Sequence, residues 1–430
     1  MNKRKIITLL MAGTFILTAC SDKEAESETT STETTTIRII NSKSEVETQM
    51  KALADAFNKS QSEIIAEIET IPSGVDIQST IKGYYLADTM PDIITCESSG
   101  FEKWEGLLAD LSDMSWTKDT DAAFVDSTYG TLGFPYTTEA IGLAYNADIL
   151  NAAGIDPDTL TSPSAYETAF ATLEEKKDSL GLTAVVGYCA EKDELYWSSG
   201  NHLFGAYLDE GLNRNDTTYI DMLKEGSLDD NRIKAYADFI GLLNKYSDPA
   251  LLTKGTYDDQ VLGFASGKYA FVTQGSWIGT ILTGADSEAY EKAGSFEVGM
   301  APYAFEDGIE TILTNSPSWW AVVKEGNVDA SKVFLEFCYS DAGQKILVEE
   351  AGFVSPFKSC SYIASDPFAA IISEYLSNSK TSSWHWMDMK EGFAQNYIAP
   401  CFYDYADGKY DADGFVTALK KAASEVYTSN

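Results

Sequence analysis

The sequence predicts an α/β fold, a largely parallel sheet covered by helices. Strand-like and helix-like segments alternate in order after the leader, and helical periodicity recurs through the second half of the chain. Size is the third observation. The 430 residues, 44% hydrophobic and 12% aromatic, suffice for one large or two medium cores.

The elements follow in chain order. Lys3-Arg4-Lys5, the uncharged run Ile6 to Ala19 and then Cys20 have the basic, apolar and small-residue regions of a secretory signal, 1–19. The apolar run is shorter than the roughly 20 residues needed to span a bilayer. Leu17-Thr18-Ala19-Cys20 resembles the bacterial lipobox, which predicts cleavage before Cys20 and lipidation of its thiol. Residues 20–36 then hold SDKEAESETTSTETTT, with no aliphatic side chain larger than Ala. Such a stretch cannot bury enough apolar area to offset ordering, so it is expected to be a disordered tether. Lipid, tether and globular body predict a protein held at the outer face of the bacterial plasma membrane but not in it.

In the body, Ile37 to Ile40 reads as a strand, and Ser44 with Glu47 as a capping box ahead of a helix whose inward face is Val46, Met50, Leu53, Ala54 and Phe57. Ile64 to Ile71 alternates, and Pro91 to Thr95 reads as a second buried strand. Ser164 to Lys177, Asp229 to Tyr246, Ala330 to Tyr339, Asp341 to Ala351 and Asp413 to Tyr427 carry helical spacing. Asp404 to Gly414 lacks the ligand spacing of a calcium loop and reads as a polar turn before the last helix. Five cysteines remain in the body, Cys96, Cys189, Cys338, Cys360 and Cys401; they read as buried thiols, with a Cys338–Cys360 bridge an alternative.

Acidic residues number 66 against 31 basic ones. Such a surface repels phosphate backbones, which argues against nucleic acid as a partner and favours neutral or cationic ligands. Only His202 and His385 are present, in no zinc, triad or metalloprotease pattern, and no P-loop or dinucleotide-binding fingerprint occurs. No cofactor or metal is expected. A glycosidase carboxylate pair leaves no sequence motif, so that reading stays open as an alternative.

Four blocks in order carry a family likeness: Pro91–Leu111, Gly133–Ile155, Gly267–Trp277 and Ser318–Pro356. Together they resemble the extracellular solute-binding proteins of family 1, the group that includes maltose-binding protein. The resemblance implies a two-lobed periplasmic-binding-protein fold with a ligand cleft between the lobes. It implies a monomer without enzymatic activity that captures a carbohydrate and delivers it to the membrane permease of an ABC importer. Polyamines, peptides and ferric iron are the alternative cargoes of this fold; Tyr84-Tyr85 lies too early in the chain for an iron site of that kind. The implied division gives a first lobe of 37–138 plus 300–316 and a second of 139–299 plus 317–430. Crossings are placed near Thr137–Ala140, Met300–Pro302 and Leu313–Pro317.

A sugar presents axial C–H bonds on its faces and hydroxyls on its edges, so its cleft needs flat aromatics and polar groups together. The chain has 8 Trp and 24 Tyr. By the family likeness Trp277, after two small residues, stands at a ligand-stacking position. Trp319 and Trp320 point to opposite faces if extended, and Trp320 is taken as the cleft-facing one; Trp384 and Trp386, two apart, share a face. Glu97 and Ser98 follow a strand at the end where open sheets bind ligands, while Phe101 and Trp104 read as core. Tyr136 and Glu139 lie at the first crossing, and Ser42 and Glu45 follow the first strand. These ten, Trp277, Trp320, Trp384, Trp386, Glu97, Ser98, Tyr136, Glu139, Ser42 and Glu45, form the expected binding set.

Overall fold

The computed structural model describes residues 34–72 and 75–428. The expected signal, Cys20 and nearly all of the tether lie outside the described residues. Thirteen strands form three sheets. They are β1 (Thr35–Asn41), β2 (Ile64–Thr70), β3 (Ile93–Cys96), β4 (Phe124–Asp126), β5 (Gly130–Pro135), β6 (Glu139–Ile141), β7 (Leu143–Asn146), β8 (Ala184–Gly187), β9 (Tyr269–Val272), β10 (Val298–Ala301), β11 (Ile312–Asn315), β12 (Trp319–Val322) and β13 (Thr381–Ser382).

The first lobe is built on the six-stranded sheet β2-β1-β3-β12-β5-β4. Strands β1, β2 and β3 run parallel, because helices Glu47–Ser60 and Ile77–Leu86 carry the chain back between them; β12 enters antiparallel to β3, and β5 antiparallel to β12. One sheet face, with Ile37, Ile39, Phe134, Trp320 and Val322, packs on Met50, Leu53 and Phe57 and on Phe334 of the helix Val328–Tyr339. The other face, with Ile94, Cys96, Trp319 and Ala321, packs on Ile81, Phe101 and Trp104. The second lobe has the four-stranded sheet β10-β7-β9-β8, whose apolar residues are covered by helices including Pro163–Leu180, Asp230–Tyr246 and Tyr257–Ala265.

The third sheet, β13-β11-β6, lies along the passages between lobes. The chain leaves β5, passes through β6 and enters the four-stranded sheet at β7; it returns through β11 into β12. Beside β6, Thr138 bridges Val354, so a later segment also runs here. These pairings differ from the expected division. Strand β12 joins β3 and β5, so Trp319–Val322 belongs with the first sheet and not with the second lobe, whereas the C-terminal helix Ala412–Thr428 does pack on Asp230–Tyr246 of the second lobe. Strand β10 is antiparallel to β7 across Met300, so Met300–Pro302 makes no crossing, and β11 pairs with β6 and β13 instead of joining the first lobe.

Two local expectations also change. Ser44–Val46 forms a 3-10 turn and helix Glu47–Ser60 has no side-chain cap; Glu47 pairs instead with Lys51 one turn on. Cys338 and Cys360 are free thiols, as are the other three cysteines of the body.

Candidate functional site

Trp277 is the best-supported site residue, and backbone fixes its place. The Ser276 N–H donates to the Ala140 carbonyl of β6 at 2.9 Å, and the Ser276 Oγ accepts from the Ala140 N–H at 3.0 Å. A side chain at Gly275 would run into the Trp277 ring and the Ala140 carbonyl, so only glycine lets the indole fold over this loop. The indole N–H donates to Gln274 Oε1 at 3.1 Å, and Gln274 is held by buried Gln260 at 2.9 Å. With its N–H bound behind the ring, Trp277 stays half-buried.

An aromatic wall continues from it. Trp277 lies 6.2 Å from Trp197 and 4.9 Å from His202, and Trp197 lies 5.6 Å from Tyr257. His202 also approaches Trp386 at 5.3 Å and Trp384 at 6.2 Å. Trp197 precedes, and His202 sits in, the π-helical turn Ser198–Leu203, a local widening of the helix that is common at functional sites. Enclosure by these rings, with Lys43 in range, pushes the His202 pKa down to about 3, so the imidazole is neutral at physiological pH.

Trp384 precedes, and Trp386 lies in, the 3-10 turn His385–Asp388, with ring centroids 5.7 Å apart. Their segment is anchored by Asp209, a buried carboxylate that accepts from the His385 backbone N–H at 2.9 Å and meets Nδ1 at 2.5 Å. Burial pulls the His385 pKa down, but the hydrogen bond and charge of Asp209, aided by Asp388, outweigh it and leave it above the ordinary value. The same segment reaches the other lobe: Ser98 Oγ donates to Asp388 at 3.4 Å, and Lys103 pairs with Glu391 at 2.8 Å.

The opposing surface is polar. Lys43 follows β1 and forms an ion pair with buried Glu139 of β6, while Glu45 lies 3.7 Å from the same ammonium. Burial works against the Lys43 charge, but these two carboxylates more than compensate, so the ammonium stays ionised. Burial raises the Tyr257 hydroxyl above its ordinary pKa, with the charges of Glu45 and Glu139 adding to it, and burial with the charge of Glu97 does the same for Tyr196. At the floor, a recess is lined by Glu45, Glu139, Ser276, Trp277, Phe353 and Asp366. Burial and the nearby Glu139 charge push Asp366 up to about 7, against one backbone hydrogen bond from Phe368.

The structure therefore brings Trp277, Glu45 and Glu139 together and sets Trp384 and Trp386 behind His202. It places Glu97 and Ser98 at the edge facing the 384–391 segment. Three expected site residues are corrected. Trp320 is fully buried between Phe134 and Tyr136, 4.8 Å from the latter, in the first-lobe core. Tyr136 is equally buried, and its hydroxyl is engaged by Ser318 and, at 3.4 Å, by Ser42, which is thereby also turned to an internal contact. Sequence reasoning missed Lys43, Trp197, His202, Tyr257 and Asp366. Of these only Trp197 and Tyr257 carried a signal, the general aromatic excess.

With this geometry in place, the comparisons decide the family. The family described as bacterial extracellular solute-binding protein matches residues 52–370, about three quarters of the chain. The chain belongs to the bacterial extracellular solute-binding proteins. The melibiose/raffinose/stachyose-binding protein MelE of Bacillus subtilis is 27% identical over 179 residues, 40% of this chain; the match spans only 41% of that relative. A Bacillus licheniformis sugar transporter in complex with stachyose superposes with a TM-score of 0.68 at 17% identity, covering 91% of this chain and 99% of that one. The binding protein RafE in complex with raffinose gives 0.70 at 18%, covering 92% and 100%. Both share the two-lobed α/β fold. The family is one of solute-binding proteins.

The half-buried Asp366 sets a pH test for this solute-binding protein. Its folded pKa is raised, so its protonated form is favoured natively: the stability is intact below the unfolded value near 4 and is lost as pH rises through about 7. Asp366→Asn, which keeps the acceptor for Phe368, is expected to unfold with greater difficulty than the parent at pH 8, by up to about 4 kcal/mol, and equally below pH 4. Denaturant titrations of both proteins at the two pH values check this.

Proposed function

We propose that the protein captures a neutral carbohydrate, an oligosaccharide of a few units, and hands it to the membrane permease of an ABC importer. The observation that carries the reading is the wall Tyr257–Trp197–Trp277–His202 facing the polar side built by Lys43, Glu45 and Glu139. Flat rings accept the C–H faces of a pyranose, and carboxylates and the ammonium take its hydroxyls. The sugars named for MelE, RafE and the Bacillus licheniformis transporter support the same class. Contacts on both lobes favour the closed arrangement only through the extra affinity they give it, with the passages at β6, β11 and Val354 as the hinge.

Thermal unfolding of residues 37–430 against α-galactosides, malto-, xylo- and chito-oligosaccharides, with spermidine and ferric iron as controls, tests the reading. A ligand at 100 times its dissociation constant stabilises by about 2.7 kcal/mol. A midpoint shift with one glycan class is expected; a shift with spermidine or iron alone would move the assignment to those cargoes. Trp277→Ala should then weaken the bound glycan by about 1–3 kcal/mol in calorimetry while leaving the unfolding midpoint of the free protein near its parent value.

We also propose that the chain acts as a monomer anchored at the outer face of the plasma membrane through lipid on Cys20, supported by Leu17-Thr18-Ala19-Cys20 behind the apolar run. Radiolabelled palmitate fed to expressing bacteria should enter the parent protein and be absent from Cys20→Ser; equal labelling of both would refute the anchor.

A further inference from the structure

His202 carries hydrogen-bonding nitrogens among the rings of the wall. Among the described residues neither of its nitrogens has a protein hydrogen-bond partner, although four tryptophans, Trp197, Trp277, Trp384 and Trp386, lie within 6.2 Å of its ring. The indole nitrogens of Trp384 and Trp386 are buried without partners, as are those of Trp104, Trp116 and Trp320 in the core, so they mark no ligand; that of Trp277 is bound to Gln274. The unpartnered imidazole among these rings is therefore the feature that carries the inference.

We propose that His202 is the specificity-determining residue of the cleft, its neutral imidazole donating one hydrogen bond and accepting one from adjacent hydroxyls of an uncharged sugar, so that acidic sugars are refused. The inference rests on the carbohydrate reading and narrows it. A neutral imidazole has one N–H and one lone-pair nitrogen, which match a vicinal diol whose hydroxyls can each donate or accept. The depressed pKa keeps it in that form across the physiological range. An imidazolium would instead offer two donors and a charge, the arrangement suited to a uronate. The polar wall opposes a carboxylate too, since the ammonium of Lys43 is already matched by Glu139 and Glu45.

Calorimetry on the parent, His202→Phe, His202→Gln and His202→Lys tests this, using the tightest neutral glycan of the four classes above and trigalacturonate. The parent should bind trigalacturonate at least 100-fold more weakly than the neutral glycan. His202→Phe keeps the aromatic shape but should lose about 10- to 100-fold in affinity for the neutral glycan, the cost of unmatched hydroxyls. His202→Gln, which retains a donor and an acceptor, should recover most of that loss, and His202→Lys should narrow the gap to trigalacturonate. Should His202→Phe not fold, His202→Leu takes its place with the same expectation. Unchanged affinity in the Phe or Leu variant, or a Gln variant no better than it, would overturn the assignment while the carbohydrate reading stands. A parent that binds no glycan would overturn both.

Discussion

The pair of hydrogen bonds between Ala140 and Ser276 is the contact on which the site depends. It ties the loop after β9 to the strand that carries the chain from one lobe to the other, and so fixes Trp277 at the point where the lobes meet. Glycine at 275 is the steric condition for it. From Trp277 outward each ring is placed by the last, through Trp197 to Tyr257 on one side and through His202 to Trp386 and Trp384 on the other. The residue before Ala140 is Glu139, which reaches the other way to Lys43. One three-residue strand thus joins the aromatic wall of the second lobe to the charged wall of the first.

Charge in this cleft is concentrated at a cost. A buried ammonium and buried carboxylate are expensive to desolvate, and their mutual attraction offsets that expense without adding much net stability. What the pair provides is a fixed polar surface, which would need little rearrangement on binding the proposed hydroxyl-rich ligand. Asp366, raised to about 7, is the less settled member, since its carboxylate has one backbone donor and Glu139 as an unfavourable neighbour. The Asp209–His385 pair works differently, since it lies behind the rings and holds the Trp384–Trp386 segment to the helix Phe204–Asp209. Gly205 in that helix makes room for the Trp386 indole, which would otherwise meet a side chain 2.7 Å away.

Strands β1 and β2 and the long amphipathic helices were legible because their burial follows sequence period, and β3 because it is a short apolar run buried throughout. The failures have physical causes. Alternation correctly sent Trp319 and Trp320 to opposite faces, but β12 is an inner strand of a sheet covered on both sides, so both faces are core and neither indole reaches the cleft. Tyr136 stacks on Trp320 and went inward with it. The lobe boundaries failed at β12 and β10 because sheet membership is decided by distant partners, such as Cys96 for Trp319 and Ala144 for Met300. His202 was invisible because a lone histidine acquires its role only when four tryptophans from three separate stretches converge on it. Lys43 sat unremarked between Ser42 and Glu45, since its importance comes from Glu139, 96 residues on.

The most direct measurement of the central claim is a crystal structure of residues 37–430 with the glycan that stabilises them most. The account predicts one sugar ring lying flat at about 4 Å from the Trp277 indole, its hydroxyls reaching Glu139, Glu45 or Lys43 from the first lobe and His202 from the second. A glycan bound elsewhere, or bound between the lobes with Trp277 still packed against protein alone, would contradict it.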